Sequence, residues 1–147
     1  MKMSTRGSYG MRAMLELAIN YEQGPILLKD IAKRQEISFR YLNQLMTPIK
    51  AAGLAKSIRG KRGGYVLAKH PSQIKLIEVI QVLEGSMAPV DCVDDPKVCG
   101  RVDSCATRDI WIQMNQSMIN ILESLTLEEL VRRQKEKEEH SPLAYNI

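Results

Sequence analysis

The chain has 147 residues, of which 44% are hydrophobic and 26% charged; this fits one ordinary domain with an added arm and excludes pervasive disorder. No apolar run approaches the roughly 18 residues of a membrane span, and Arg6, Arg12, Glu16 and Glu22 interrupt the first apolar stretch, unlike a secretory signal, so a cytoplasmic location with no membrane partner is expected. The net charge of +4 hides an asymmetry, because residues 1–70 carry 13 Lys/Arg against 4 Asp/Glu and residues 71–147 carry 8 against 13; the basic half suits a polyanion such as nucleic acid, or is a plain solvated face.

Gly10, Ala13, Met14, Leu17, Ala18 and Tyr21 recur at helical spacing and predict a first amphipathic helix over 6–22. Gln23-Gly24-Pro25 ends it, and Ile26-Leu27 form a short extended link. Residues 29–35 predict a short helix with Ile31 and Ala32 inward, followed by a break at Ile37-Ser38. Ser38 is a good N-cap for a third helix over 39–52, whose buried stripe is Leu42, Leu45, Met46 and Ile49 and whose stop is Gly53. Pro48 is expected to bend this helix or weaken its last turns. Residues 54–59 and Tyr65-Val66-Leu67 read as two strands joined by the turn Gly60-Lys61-Arg62-Gly63-Gly64. A fourth helix over 75–84 presents Leu76, Val79, Ile80 and Leu83 on one face and ends at Gly85.

Residues 86–106 hold all three cysteines with no hydrophobic period, which reads as a functional loop without regular structure. From Thr107 to Leu125 a long helix follows, with Trp111, Met114, Met118, Ile121 and Leu125 spaced as an a/d seam. Thr126-Leu127-Glu128-Glu129 is a capping box for one more helix. The expected units are therefore 1–85, a cysteine loop over 86–106, a dimerisation helix with its follower over 107–135, and a loose tail over 136–147. The fold class is mainly α with a small β-hairpin wing.

The order helix, helix, capped helix, cationic glycine hairpin is that of a winged helix-turn-helix. In such a unit the third helix lies in the major groove, where base edges present distinguishable donors and acceptors. Ser38 at its start can leave backbone N–H groups facing a phosphate. Arg40, Tyr41 and Gln44 sit on the polar side of its first turns; Arg suits guanine and Gln suits adenine by bidentate geometry. Asn43 and Phe39 are weaker candidates, the latter equally suited to packing. Lys61 and Arg62 at the hairpin tip, with Arg59 behind, are placed to enter a minor groove or clamp its phosphates. Each feature taken alone has a plain structural explanation as a cap, a tight turn or a solvated cation; the combination favours double-stranded DNA. No catalytic constellation is present, so an enzyme is not expected.

Cys92, Cys99 and Cys105 are spaced C-x6-C-x5-C. Three is an odd number, against a complete disulfide set, and the spacing is wider than the usual zinc pairs. Thiolates bind soft metals and iron–sulfur clusters, while a redox pair with one spectator thiol fits the same residues. A cluster normally takes four protein ligands, so the cysteines leave one position to an oxygen donor, a partner or solvent. The long seam needs somewhere to bury its apolar residues, and a twofold homodimer through it would set two reading heads about 34 Å, or a multiple, apart.

The segments MKMSTRGSYGMRAMLELA, LKDIAKRQEISFRYLNQLM, AGLAKSIRGKRGGYVLA and IKLIEVIQVLEG resemble, in order, the Rrf-type winged-helix transcription regulators of bacteria, and the three loop cysteines are similar to those of the iron–sulfur members, the IscR type. The resemblance implies a homodimeric regulator of iron–sulfur biogenesis genes on a palindromic operator. Cys92, Cys99 and Cys105 would then ligate a cluster, [2Fe–2S] in preference to [4Fe–4S]. Nitric-oxide- and iron-responsive [4Fe–4S] relatives and a metal-free thiol switch stay open. The chain departs from the IscR-type pattern at Arg108, where a His is common three residues after the last cysteine, and at Asn43, where an acidic residue is common.

Overall fold

The computed structural model describes residues 2–141. Helix α1 spans Thr5–Ile19, α2 Leu28–Gln35 and α3 Phe39–Ala51; strands β1 (Ala55–Ile58) and β2 (Gly64–Leu67) follow, then α4 (Leu76–Glu84), the single turn α5 (Asp91–Asp94), α6 (Ala106–Ser124) and α7 (Leu127–Glu139). The result is mainly helical with one two-stranded antiparallel hairpin, registered Ala55↔Leu67 through Ile58↔Gly64.

The core forms where the apolar stripes of the first four helices meet. Met14 of α1, Ile31 of α2, Leu42, Met46 and Ile49 of α3 and Val79 of α4 are completely buried. Burial of a side chain of this size contributes about 1.5–3 kcal/mol, so these stripes fix the helix packing. Polar contacts then set how α1 carries α2. Glu16 is buried and accepts from Gln35 Nε2 at 2.7 Å and from Arg34 at 3.4 Å. Arg12 donates to the Gln35 side chain and carbonyl, while its guanidinium sits over the Tyr9 ring, 5.3 Å from the centroid.

Ser4 caps α1, accepting from Gly7 N–H, and its hydroxyl and backbone N–H both donate to Glu84 at the end of α4. Gly7 and Gly10 let α4 approach: a Cβ on Gly10 would lie 2.2 Å from Leu83 Cδ1. The α2–α3 turn reverses at Glu36, the one non-glycine residue with positive φ (56°) among the described residues. The extended link before α2 pairs with the hairpin through Ile26 and Tyr65, at 3.0 and 2.8 Å.

Helix α3 runs through Pro48 to Ala51, close to the expected end at 52, whereas two other expectations need correction. Proline removes one N–H, here the partner of the Gln44 carbonyl, and Gln44 is an exposed residue. The cysteine loop is not without structure: it contains α5 and a 3₁₀ turn over Pro96–Val98, whose cap Asp95 accepts from Lys97 N–H at 3.0 Å. The tail is helical through Glu139, because Arg132 pairs with Glu129 and Glu136 and Gln134 bonds Glu138 one turn on. The remainder of that tail, 142–147, lies outside the described residues.

The last two helices behave differently. α7 returns to the first unit: Leu127 is completely buried in the core, Leu127 N–H donates to Ile74 O at 3.0 Å, and Leu76 N–H donates to Leu125 O at 2.9 Å. α6, 19 residues long, buries no residue fully. Trp111, Met114, Met118 and Leu125 of its seam are half-buried and Ile121 is 58% exposed.

Candidate nucleic-acid interface and cysteine loop

α3 owes its start to Ser38, which is extended and accepts from Tyr41 N–H at 3.1 Å. The cap fixes which side chains of the first turns point outward. Arg40, Asn43 and Gln44 are exposed, as is Ser38 itself. Tyr41 is placed differently: it is half-buried, its Oη lies 3.1 Å from Thr5 Oγ1, and its ring meets Tyr9 edge-on at 6.1 Å. It therefore ties the start of α3 to α1.

The wing is held from behind. Gly63 N–H donates to Gly60 O at 3.0 Å to close the turn. A Cβ on Gly64, which has φ +148°, would lie 2.3 Å from the Ile26 carbonyl oxygen. Only glycine lets the two backbones approach this closely. Arg59, Lys61 and Arg62 are exposed along the tip. Among the described residues neither they nor Arg40 forms an ion pair, so their charge is available to a polyanion.

Sequence reasoning gave too little weight to Phe39. It lies one turn before Leu42, so the apolar period points it inward, but it is the first residue of α3 and lies beyond the edge of the core. It is 55% exposed. Lys29, exposed at the start of α2, lines with Phe39 a hollow between α2, α3 and the hairpin; its exposed place was the available signal.

In the cysteine loop all three thiols are free, Cys99 exposed and Cys92 and Cys105 half-buried. Cys105 Sγ lies 3.1 Å from Thr107 Oγ1, and that hydrogen bond, with the Arg108 backbone, holds its thiol below the usual range. Arg108 Nε donates to the Cys92 carbonyl at 3.2 Å, joining the loop to α6. The donor set suits a soft metal or an iron–sulfur cluster in chemistry and supplies three of four positions. The folded loop does not gather it: among the described residues no three His, Cys, Asp or Glu side chains converge as a metal site. Arg108 is cationic and offers no lone pair, so it cannot complete the set. His70, outside the loop, caps the turn at Pro71 by accepting from Ser72 N–H at 3.1 Å.

Among the described residues no helix is long and apolar enough to cross a membrane. The family model for Rrf2, iron-dependent transcriptional regulator, matches residues 3–133. The chain is 43% identical over 130 residues to the HTH-type transcriptional regulator CymR of Bacillus subtilis, covering 88% of this chain and 89% of that one. It is 38% identical over 135 residues to the HTH-type transcriptional regulator IscR of Klebsiella pneumoniae, covering 92% and 82%. The solved structure of B. subtilis CymR, described as the global cysteine regulator, superposes with TM-score 0.78 at 41% identity over 90% of this chain and 98% of that one. T. potens IscR superposes with TM-score 0.81 at 37% identity over 99% and 96%. The winged-helix expectation and the family resemblance are both met, and the relatives are regulators rather than enzymes. With its capped third helix and cationic wing set in that fold, the chain belongs to the Rrf2 family of DNA-binding transcription regulators.

Proposed function

We propose that the chain is a cytoplasmic, homodimeric repressor that reads a palindromic operator with α3 and the wing. The observation that carries this reading is the exposed set Arg40, Gln44, Arg59, Lys61 and Arg62 on α3 and the hairpin, without ion-pair partners among the described residues. Gln44 offers a bidentate amide to a base edge and the cations neutralise phosphates. Ser38 and Tyr41 hold the start of α3 at the surface. The seam of α6, half-buried except at the exposed Ile121, supports the dimer, because a second copy would take its apolar residues out of water.

For the loop we propose that Cys92, Cys99 and Cys105 hold an iron–sulfur cluster, [2Fe–2S] in preference to [4Fe–4S], and so report iron–sulfur supply to biogenesis genes. When bound, such a group supplies a redox-active centre with soft-ligand affinity. The loop joins α4 to α6, so any change in its ordering shifts the reading units relative to the dimer helix. The three free thiols, which do not converge on one site among the described residues, favour a second reading, a metal-free thiol switch.

Iron and sulfide analysis of anaerobically purified protein, with its visible spectrum, separates the two. Two irons and two sulfides per chain with structured absorption support the [2Fe–2S] reading. A broad band near four irons moves the assignment to nitric-oxide- or iron-responsive relatives. A colourless protein that stays colourless after reconstitution overturns the cluster and leaves the thiol switch.

A further inference from the structure

The face that carries the cations also carries an apolar hollow. A concavity of ≈ 460 Å³ opens where α2, α3 and the wing converge, lined among others by Leu27, Phe39, Ile58, Lys29, Asn43 and Ser57. Phe39 is 55% exposed, Ile58 43% and Leu27 42%. Each stands at an element end: Leu27 caps α2, Phe39 opens α3 and Ile58 closes β1. Scattered exposed apolar residues are ordinary, but three large ones around one hollow call for an occupant.

The surroundings say what that occupant is. Lys29 and Asn43 are part of its lining, and Asn43 stands on α3 between Arg40 and Gln44 in sequence, all three exposed. The hollow thus lies between α3 and the wing with a cation and an amide in its wall, which disfavours a wholly apolar protein segment and suits a duplex. In the major groove the apolar feature of a base edge is the thymine C5-methyl, and phenylalanine is one of the side chains that contacts it.

We propose that Phe39, backed by Leu27 and Ile58, is a methyl-reading site that selects a 5-methylpyrimidine, normally thymine, at one position of each operator half-site. It rests on the DNA-interface reading above and adds to it a specificity determinant that makes no hydrogen bond. It also divides the labour on α3: Gln44 reads a donor–acceptor pattern, and Phe39 reads a methyl group.

The test starts with duplexes selected from a random-sequence library by the full-length protein. In the best of them each dT is replaced in turn by dU, which removes only the methyl group, and affinity is read by fluorescence anisotropy. The expected result is one dT per half-site whose replacement weakens binding about 4-fold, the value of one buried methyl-sized group, with other positions unaffected. A cytosine placed there should bind better when 5-methylated. F39S, checked for fold by circular dichroism, should bind dT and dU duplexes equally at that position. A flat uracil scan on the unaltered protein overturns the proposal without relying on any variant. So does an F39S protein that keeps the dT preference, or one whose DNA profile is unchanged, which would assign the hollow to a protein partner. If no duplex is enriched at all, the DNA-interface reading has failed rather than the methyl site.

Discussion

Gly64→Ala is the sharpest perturbation of the wing. The added Cβ would stand 2.3 Å from Ile26 O, 2.5 Å from Ile26 C and 2.9 Å from Leu27 N, all backbone atoms, at a φ of +148° that alanine avoids. No side-chain rotation relieves such contacts, so the hairpin must move away from residues 26–27. That movement breaks the Ile26–Tyr65 pair, which holds the wing with bonds of 3.0 and 2.8 Å. Two backbone hydrogen bonds at about 1 kcal/mol each and the positive-φ strain give a loss of roughly 2–3 kcal/mol. For a chain of this size that lowers the melting midpoint by about 5–10 °C. If Lys61 and Arg62 contact phosphates as proposed, their displacement should also flatten the slope of log affinity against log salt by about 2. Thermal melting by circular dichroism and operator titrations between about 50 and 200 mM salt measure both. A variant that melts within a degree of the parent and keeps its salt slope would refute the claim that the link before α2 clamps the wing.

Arg62→Ala alone should weaken binding to all sequences and flatten the salt slope by about 1, whereas Gln44→Ala should relax preference at one base pair by about 1–3 kcal/mol; a selection experiment on each variant separates the two effects. Ile121→Glu, which puts a charge on the exposed seam of α6, should convert a dimer to a monomer in light scattering and lower operator affinity without lowering helix content. Glu36→Gly should stabilise the fold by roughly 0.5–1 kcal/mol, because Glu36 occupies a left-handed position that glycine adopts freely; chemical denaturation reads the change. Arg132 and Arg133 hold the Glu129 carboxyl down at about 2. A depressed carboxylate stabilises the folded state above its ordinary range, and that contribution is lost as pH falls through about 2; a carboxyl NMR titration of Glu129 checks the value.

The DNA-reading half was legible because each of its signals is local. Ser38 announces a cap, the spacing of Leu42, Leu45, Met46 and Ile49 announces a buried stripe, and a cationic run among glycines announces a tight hairpin. Phe39 was left open between packing and contact because its phase belongs to the stripe, while the core ends before reaching it. The docking of α7 rests on Leu127 and on backbone bonds to residues 74–76, a contact between segments some fifty residues apart that no periodicity reveals. Tyr41 read as a candidate contact to bases or phosphates from its polar place near the cap, while the link of its hydroxyl to Thr5 joins segments that no local signal connects. The spacing of the cysteines indicated soft-ligand chemistry without indicating convergence, and the folded loop leaves the three thiols apart.

The central claim is that the α3–wing face binds an operator under the control of the loop cysteines. The most direct measurement is operator affinity of anaerobically purified protein, reconstituted with iron and sulfide or stripped of them, beside a Cys92→Ala/Cys99→Ala/Cys105→Ala variant. The account predicts that the reconstituted and stripped forms differ in affinity or in the operator they prefer, and that the triple variant behaves as the stripped form under both treatments. Equal affinity of all three proteins at every selected operator would contradict it.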